Sequence, residues 1–198
     1  KNMETGDFST LKKNYGKGVE LRGKTLGIVG FGRIGQSLAS YALGAGMNVI
    51  AVDKFVDPVL VQIPLGNGGE AGISITPVDD LNAVLPQMDY ISLHVPKQAD
   101  GSAVITAIEF EKMKKGVRIV NAARGGVINE DDLLEVLNSD KIAGIALDVF
   151  ENEPNPRKDL LNHPKIACTP HIGAATVEAQ DRIGEELAQL IIGQFAKA

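Results

Sequence analysis

Apolar residues along this chain fall into short continuous runs, and most runs are followed by a stretch whose apolar positions recur every three or four residues. The runs KTLGIVG, MNVIAVD, DYISLHV, GVRIVNAA, IAGIALDVF and KIACTPH read as strands. Runs without alternation are what strands show when helices cover both faces of their sheet. Between them, GRIGQSLASYALGAG carries Ile34, Leu38, Ala42 and Leu43 at helical spacing, and VITAIEFEKMK and NEDDLLEVLNS read as further helices. Thr76-Pro77-Val78-Asp79 resembles a helix start with Thr76 as N-cap and Pro77 in the first turn, leading into LNAVLPQ. Glycines and prolines in residues 56–72 mark a loop, and the chain closes on the amphipathic stretch ELAQLIIGQFAKA. Strand–helix alternation predicts the α/β class with a parallel, doubly wound sheet. Residues 1–22 form a polar lead-in, and 23–198 form one domain with a terminal helix.

Composition narrows the partners. At 198 residues and 44% hydrophobic content the chain buries one substantial core. A net charge of -5, scattered basic residues and no Trp argue against a nucleic-acid groove, which wants a basic face interleaved with aromatics. The lone Cys168 permits no intrachain disulfide and no cysteine-based metal site, and its apolar run KIAC places it as a buried thiol. No apolar stretch approaches the roughly 20 residues that span a bilayer. The opening KNMETGDFST lacks the apolar core of a secretory leader, so cytoplasmic residence is the expectation, with no metal and no membrane partner.

The stretch GIVGFGRIG supplies the first candidate chemistry. Gly30, Gly32 and Gly35 follow a predicted strand and open a predicted helix, the context that gives a Gly-x-Gly-x-x-Gly its meaning. Gly30 allows a tight turn, Gly32 lets the backbone approach a pyrophosphate, and Gly35 lets helix and strand pack closely. The N–H groups of Arg33 and Ile34 then face the phosphates from the positive end of the helix. Asp53 ends the next strand roughly 20 residues on, where an acid hydrogen-bonds the adenosine ribose and repels a 2'-phosphate. This favours NAD over NADP, with Lys54 beside it as a counterweight. The expected fold is therefore a Rossmann-type nucleotide-binding domain.

In such a sheet ligands sit outside the carboxyl ends of the strands. Those ends carry Asp53, His94, Arg124, Asp148, Glu153 and His171. Arg124, before two glycines, can grip a carboxylate through paired hydrogen bonds, although an exposed surface Arg is the plain alternative. His171 and Glu153 lie past neighbouring strands, so the carboxylate can orient the ring and keep a proton available for transfer near neutral pH. His94 shapes the site rather than reacts, and His163 lies in a polar loop. Nicotinamide, carboxylate grip and proton carrier together describe reversible hydride transfer at the carbon next to a carboxylate.

The segments GKTLGIVGFGRIG, NAARGGVINEDDLLEVL, ALDVFENEP and TPHIGAAT resemble, in order, the signature segments of the D-isomer-specific 2-hydroxyacid dehydrogenases. The resemblance implies an NAD-dependent oxidoreductase in which Arg124 binds the substrate carboxylate and carbonyl, His171 acts as general acid/base and Glu153 assists it. It also implies that Asp148 meets the nicotinamide carboxamide, and that Val95, Ala122, Ala123, Gly173 and Ala174 line the cofactor site with His94, Arg124 and His171. A phosphorylated 2-hydroxy or 2-oxo acid as substrate and a homodimer through this domain follow from the same resemblance. Other 2-hydroxy acids, or a non-catalytic module that senses NAD(H), remain open alternatives. The family has a split substrate-binding lobe that is absent here, and the lead-in lacks the family's usual tryptophan. The chain is therefore expected to be the cofactor-binding domain alone, able to bind NAD and slow to turn over.

Overall fold

The computed structural model describes residues 4, 6–16 and 18–195. In chain order its first elements are α1 (Phe8–Tyr15), β1 (Thr25–Val29), α2 (Arg33–Gly44), β2 (Asn48–Val52), β3 (Val59–Pro64), β4 (Glu70–Ile75), α3 (Leu81–Val84) and β5 (Tyr90–Leu93). There follow α4 (Ala107–Lys112), β6 (Val117–Asn121), α5 (Glu130–Leu137), β7 (Ile142–Leu147), α6 (Lys158–Leu161), β8 (Ile166–Cys168) and α7 (Val177–Phe195). Six strands form a parallel sheet in the order β2-β1-β5-β6-β7-β8. The chain runs from β1 outward to β2 and then crosses to β5 on the other side of β1. That reversal opens a crevice between the carboxyl ends of β1 and β5.

Helices cover the two faces unequally. The α2 side packs Ala39 and Ala42 against Leu26, Ile28 and Ala51. On the other face Phe110 of α4, with Leu133 and Leu137 of α5, closes over Ile91, Ile119 and Ile145. Along β6 to β8 the opposite face is open, with Val120 42% exposed. The expectation that Cys168 is buried is corrected here: its thiol is exposed, because β8 is the last strand of the sheet.

Two local readings are also corrected. Residues 56–72, expected as a loop, contain β3 and lead into β4, and the two strands pair antiparallel from Val59↔Ile75 to Pro64↔Glu70. Val61 and Ile63 point inward and Val61 joins the α2 core, while the Ser40 hydroxyl donates to the Gln62 carbonyl at 2.7 Å. The Asn67-Gly68 pair at the tip takes positive φ, so the polar cluster makes a hairpin turn. Thr76 does not cap a helix, because Val78 continues the sheet beside Val52, its N–H donating to the Ala51 carbonyl at 2.9 Å. Pro77, which lacks an N–H, suits such an edge. The helix starts later at Leu81, where the Asp80 carboxylate accepts from Asn82 N–H at 2.9 Å.

Helices α1 and α7 bury none of their residues. Arg33 and Glu186 approach to 3.9 Å with side chains 95% and 65% exposed. An ion pair that open contributes about 0–1 kcal/mol, too little to fasten α7.

Candidate active site

The glycine turn lies where β1 passes into α2. Gly30 has φ 95°, and a Cβ there would stand 2.7–2.9 Å from the backbone of His94 and Val95 at the end of β5. The crevice is that narrow, and only glycine fits it. Gly32 is the N-cap of α2 and offers no side-chain acceptor, while a Cβ built on it would meet nothing within 4 Å. The first N–H groups of a helix have no partner inside it. Those of Arg33, Ile34 and Gly35 thus head a helix of 12 residues across open space, and both Arg33 and Ile34 are exposed. A cradle without Cβ atoms, lined with free donors at the positive end of a helix, fits a pyrophosphate.

Asp53 stands at the end of β2 and is half-buried. Its Oδ2 accepts the Phe31 N–H at 2.7 Å, and its Oδ1 accepts the Phe55 N–H at 2.9 Å. The carboxylate therefore braces the glycine turn from within the protein, and it keeps lone pairs for a ribose hydroxyl. Lys54, next to it, is exposed.

Arg124 leaves the end of β6 on an exposed loop. The Asn121 side chain shapes that loop from both sides: Oδ1 accepts the Ala123 N–H at 3.1 Å, and Nδ2 donates to the Arg124 carbonyl at 3.2 Å. Arg124 Nη1 donates to the Ala123 carbonyl at 2.6 Å, which folds the side chain back over its own loop. Arg124 is exposed, and no carboxylate is paired with its guanidinium among the described residues.

His171 Nδ1 and Glu153 Oε2 lie 2.8 Å apart, with side chains 52% and 35% exposed. The hydrogen bond from His171, followed by that from the Phe150 N–H, holds the Glu153 carboxyl below the ordinary carboxylate range. An ionised carboxylate only accepts, so Nδ1 carries the proton and Nε2 is left to exchange one with a ligand.

Asp148 has a role that spacing alone did not reveal. Its Oδ1 accepts from the Thr169 hydroxyl at 2.6 Å and the Ile172 N–H at 2.8 Å, and its Oδ2 accepts the Gly173 N–H at 2.8 Å. Burial pushes this carboxyl up, but the three hydrogen bonds outweigh it and hold the group in its charged form. The segment on either side of His171 is thereby tied to the end of β7. Oδ2 accepts one hydrogen bond and keeps a second lone pair.

The remaining expected positions divide into two groups. Ala122, Asp148 and Gly173 line a cavity of about 320 Å³ at the ends of β6 to β8, together with Val120, Ala167 and Thr169. Val95 instead packs its side chain against the core, Ala123 is buried and contributes backbone, and Ala174 is exposed. His94 is half-buried, its Nε2 lies 2.9 Å from the Ser92 hydroxyl, and burial favours its neutral form. His163 Nδ1 accepts the Lys165 N–H at 3.2 Å, a local structural bond.

Comparison with known proteins matches residues 1–173 to the family model described as D-isomer specific 2-hydroxyacid dehydrogenase, NAD binding domain. D-3-phosphoglycerate dehydrogenase 3, chloroplastic, of Arabidopsis thaliana is 42% identical over 183 residues, which is 91% of this chain and 29% of that protein. Hydroxypyruvate reductase of Thermotoga maritima is 44% identical over 184 residues, 90% of this chain and 55% of that one. The holo D-mandelate dehydrogenase of Rhodotorula graminis superposes with a TM-score of 0.81 at 33% identity, covering 97% of this chain and 55% of that chain. This chain spans between under a third and just over half of the length of these relatives.

Proposed function

The chain belongs to the D-isomer-specific 2-hydroxyacid dehydrogenases, of which it is the NAD-binding domain, and on that premise we propose that it serves oxidation of a D-2-hydroxy acid. The substrate we favour is D-3-phosphoglycerate, giving 3-phosphohydroxypyruvate at the entry to serine biosynthesis. The observation that carries the reaction type is the 2.8 Å His171–Glu153 pair beside the Arg124 loop. When bound, NAD supplies the hydride acceptor. Arg124 grips the substrate carboxylate and carbonyl oxygen with the donors it does not spend on Ala123. His171 Nε2 accepts the hydroxyl proton as the alcohol is oxidised and returns it in the reverse direction. Glu153 offsets the charge that arises on the imidazole. Gly30, Gly32, Gly35 and the amides of Arg33 and Ile34 hold the pyrophosphate. Asp53 takes the ribose, and Asp148, through Oδ2, takes the carboxamide.

Reduction of hydroxypyruvate or glyoxylate is a second reading, favoured by the 44% identity to a hydroxypyruvate reductase. The proton-transfer pair counts against a purely sensory module, which has no use for one. Dimerisation through this domain and cytoplasmic residence belong to the same proposal. Ile183, Leu187, Leu190 and Ile191 share one exposed face of α7 and support the first.

Calorimetric titration of the chain with NADH tests the cofactor role, and absence of binding at millimolar ligand would refute it. The natural polypeptide assayed on 3-phosphoglycerate, hydroxypyruvate, glyoxylate and D-lactate decides the substrate. His171→Ala in that polypeptide should abolish turnover and spare NADH affinity. Lost affinity with retained turnover would reverse the assignment.

A further inference from the structure

Two glutamates that the proposed reaction does not use, Glu130 and Glu151, bond to each other's backbone. Glu130, the first residue of α5, is 5% exposed, and its Oε1 accepts the Glu151 N–H at 2.9 Å. Glu151 returns the bond, its Oε1 accepting the Glu130 N–H at 3.2 Å. The arrangement has the reciprocity of a capping box, but it joins two elements 21 residues apart. Nearby, Arg157, the N-cap of α6, pairs with Asp131 of α5 and, at 2.9 Å, with Asp159 of α6, which ties the start of α6 to α5. Glu130 Oε2 is buried without a hydrogen-bond partner among the described residues. An unpaired charge there would be costly, and burial holds Glu130 neutral to higher pH than an ordinary carboxyl.

This closure fixes the turn from Phe150 to Glu153. The Phe150 N–H donates to Glu153 Oε1 at 2.9 Å, while Glu153 Oε2 meets His171. From the other side, a Cβ on Gly125 would stand 1.9 Å from the Phe150 carbonyl oxygen, so the backbone after Arg124 rests directly on the turn. Arg124 and Glu153 thus ride on one unit anchored to the head of α5.

We propose that Glu130 and Glu151 are positioning residues whose mutual backbone hydrogen bonds hold the Phe150–Glu153 turn, and through it the Glu153–His171 pair, in register with Arg124. The proposal rests on reading Glu153 and His171 as the acid–base pair.

The test uses imidazole nitrogen NMR on the chain, which has three histidines. With Glu153 ionised, neutral His171 is expected as the Nδ1–H tautomer, and a His171→Gln spectrum assigns its signals. Glu130→Ala is expected to abolish that signature, and Glu130→Gln, which keeps Oε1 as acceptor, to retain it. A folded Glu130→Ala chain with an unchanged His171 signature overturns the proposal. If Glu130→Ala does not fold, Glu151→Ala, at an exposed side chain, decides in the same way: loss supports the proposal and retention overturns it. Glu153→Ala separates the two readings. If it leaves the signature untouched, the acid–base pair itself falls and the positioning role with it. If it removes the signature while Glu130→Ala and Glu151→Ala do not, the positioning role alone falls.

Discussion

The Asp53 carboxylate accepts the Phe31 amide at 2.7 Å across 22 residues, so the acid proposed to read the ribose also props up the turn proposed to hold the phosphates. A charge-assisted hydrogen bond of this kind is worth about 1.5–3 kcal/mol. Asp53→Ala is therefore expected to lower thermal stability as well as weaken NADH about tenfold, or about 1.4 kcal/mol. Melting curves and fluorescence titration check both. An unmoved melting temperature with weakened affinity would mean that the bond to Phe31 carries no load.

Gly30→Ala meets the backbone of His94 and Val95. The new Cβ would press on the His94 carbonyl, which has no rotamer to yield, and φ 95° is strained for any L side chain. A loss of at least about 1–3 kcal/mol is expected. In a chain of this size each kcal/mol lowers the melting temperature by roughly 2–4 °C. Gly32→Ala, facing open space, should melt near wild type and lose NADH affinity instead.

The strands were legible because a strand covered by helices leaves a continuous apolar run, as β1 and β5 do within a residue or two, and β6 was read the same way although one of its faces is open at Val120. The hairpin of β3 and β4 was not, because Val61 and Ile63 alternate with Leu60 and Gln62 next to so many turn residues that the signal of period two is short. The placement of Val78 beside Val52 depends on which sheet edge is free, and Cys168 is exposed because β8 is last in a strand order that no local pattern encodes. At the candidate site, residue types at strand ends singled out His171, Glu153 and Arg124, and the first two are hydrogen-bonded to each other. Their support did not show: Asp148 tying Ile172 and Gly173, or Glu130 meeting Glu151, is contact between segments far apart in sequence. The acidic run NEDD reads equally as an ordinary helix start.

Acid should find the Glu153–His171 pair. The Glu153 carboxyl titrates below its ordinary 4.5 because of the hydrogen bond from His171 and then that from Phe150. A depressed folded-state value means that its stabilising contribution is complete above 4.5 and is lost as pH falls through the lower, folded-state value. The stability difference between wild type and Glu153→Gln should thus shrink as pH drops below 4.5 and hold steady above it. Urea midpoints measured at several pH values check this, and a difference that stays constant throughout would be inconsistent with the pairing.

Cys168 should react in the native protein. Its thiol is exposed on β8, yet partial burial raises its pKa above 9.0. Little thiolate exists at pH 7, so a disulfide reagent is expected to modify one thiol per chain slowly, with a rate that climbs until beyond pH 9.0. A requirement for denaturant would show that the side chain is covered.

His171 holds a left-handed backbone, φ 55°, between residues that Asp148 keeps in place. For a residue with a Cβ that conformation costs about 1–2 kcal/mol, and glycine escapes the cost. Replacing His171 by glycine should give a more stable chain than replacing it by alanine, although both lack the imidazole. Backbone comfort at this position thus favours glycine, while the bond to Glu153 and the proposed proton transfer both require the imidazole.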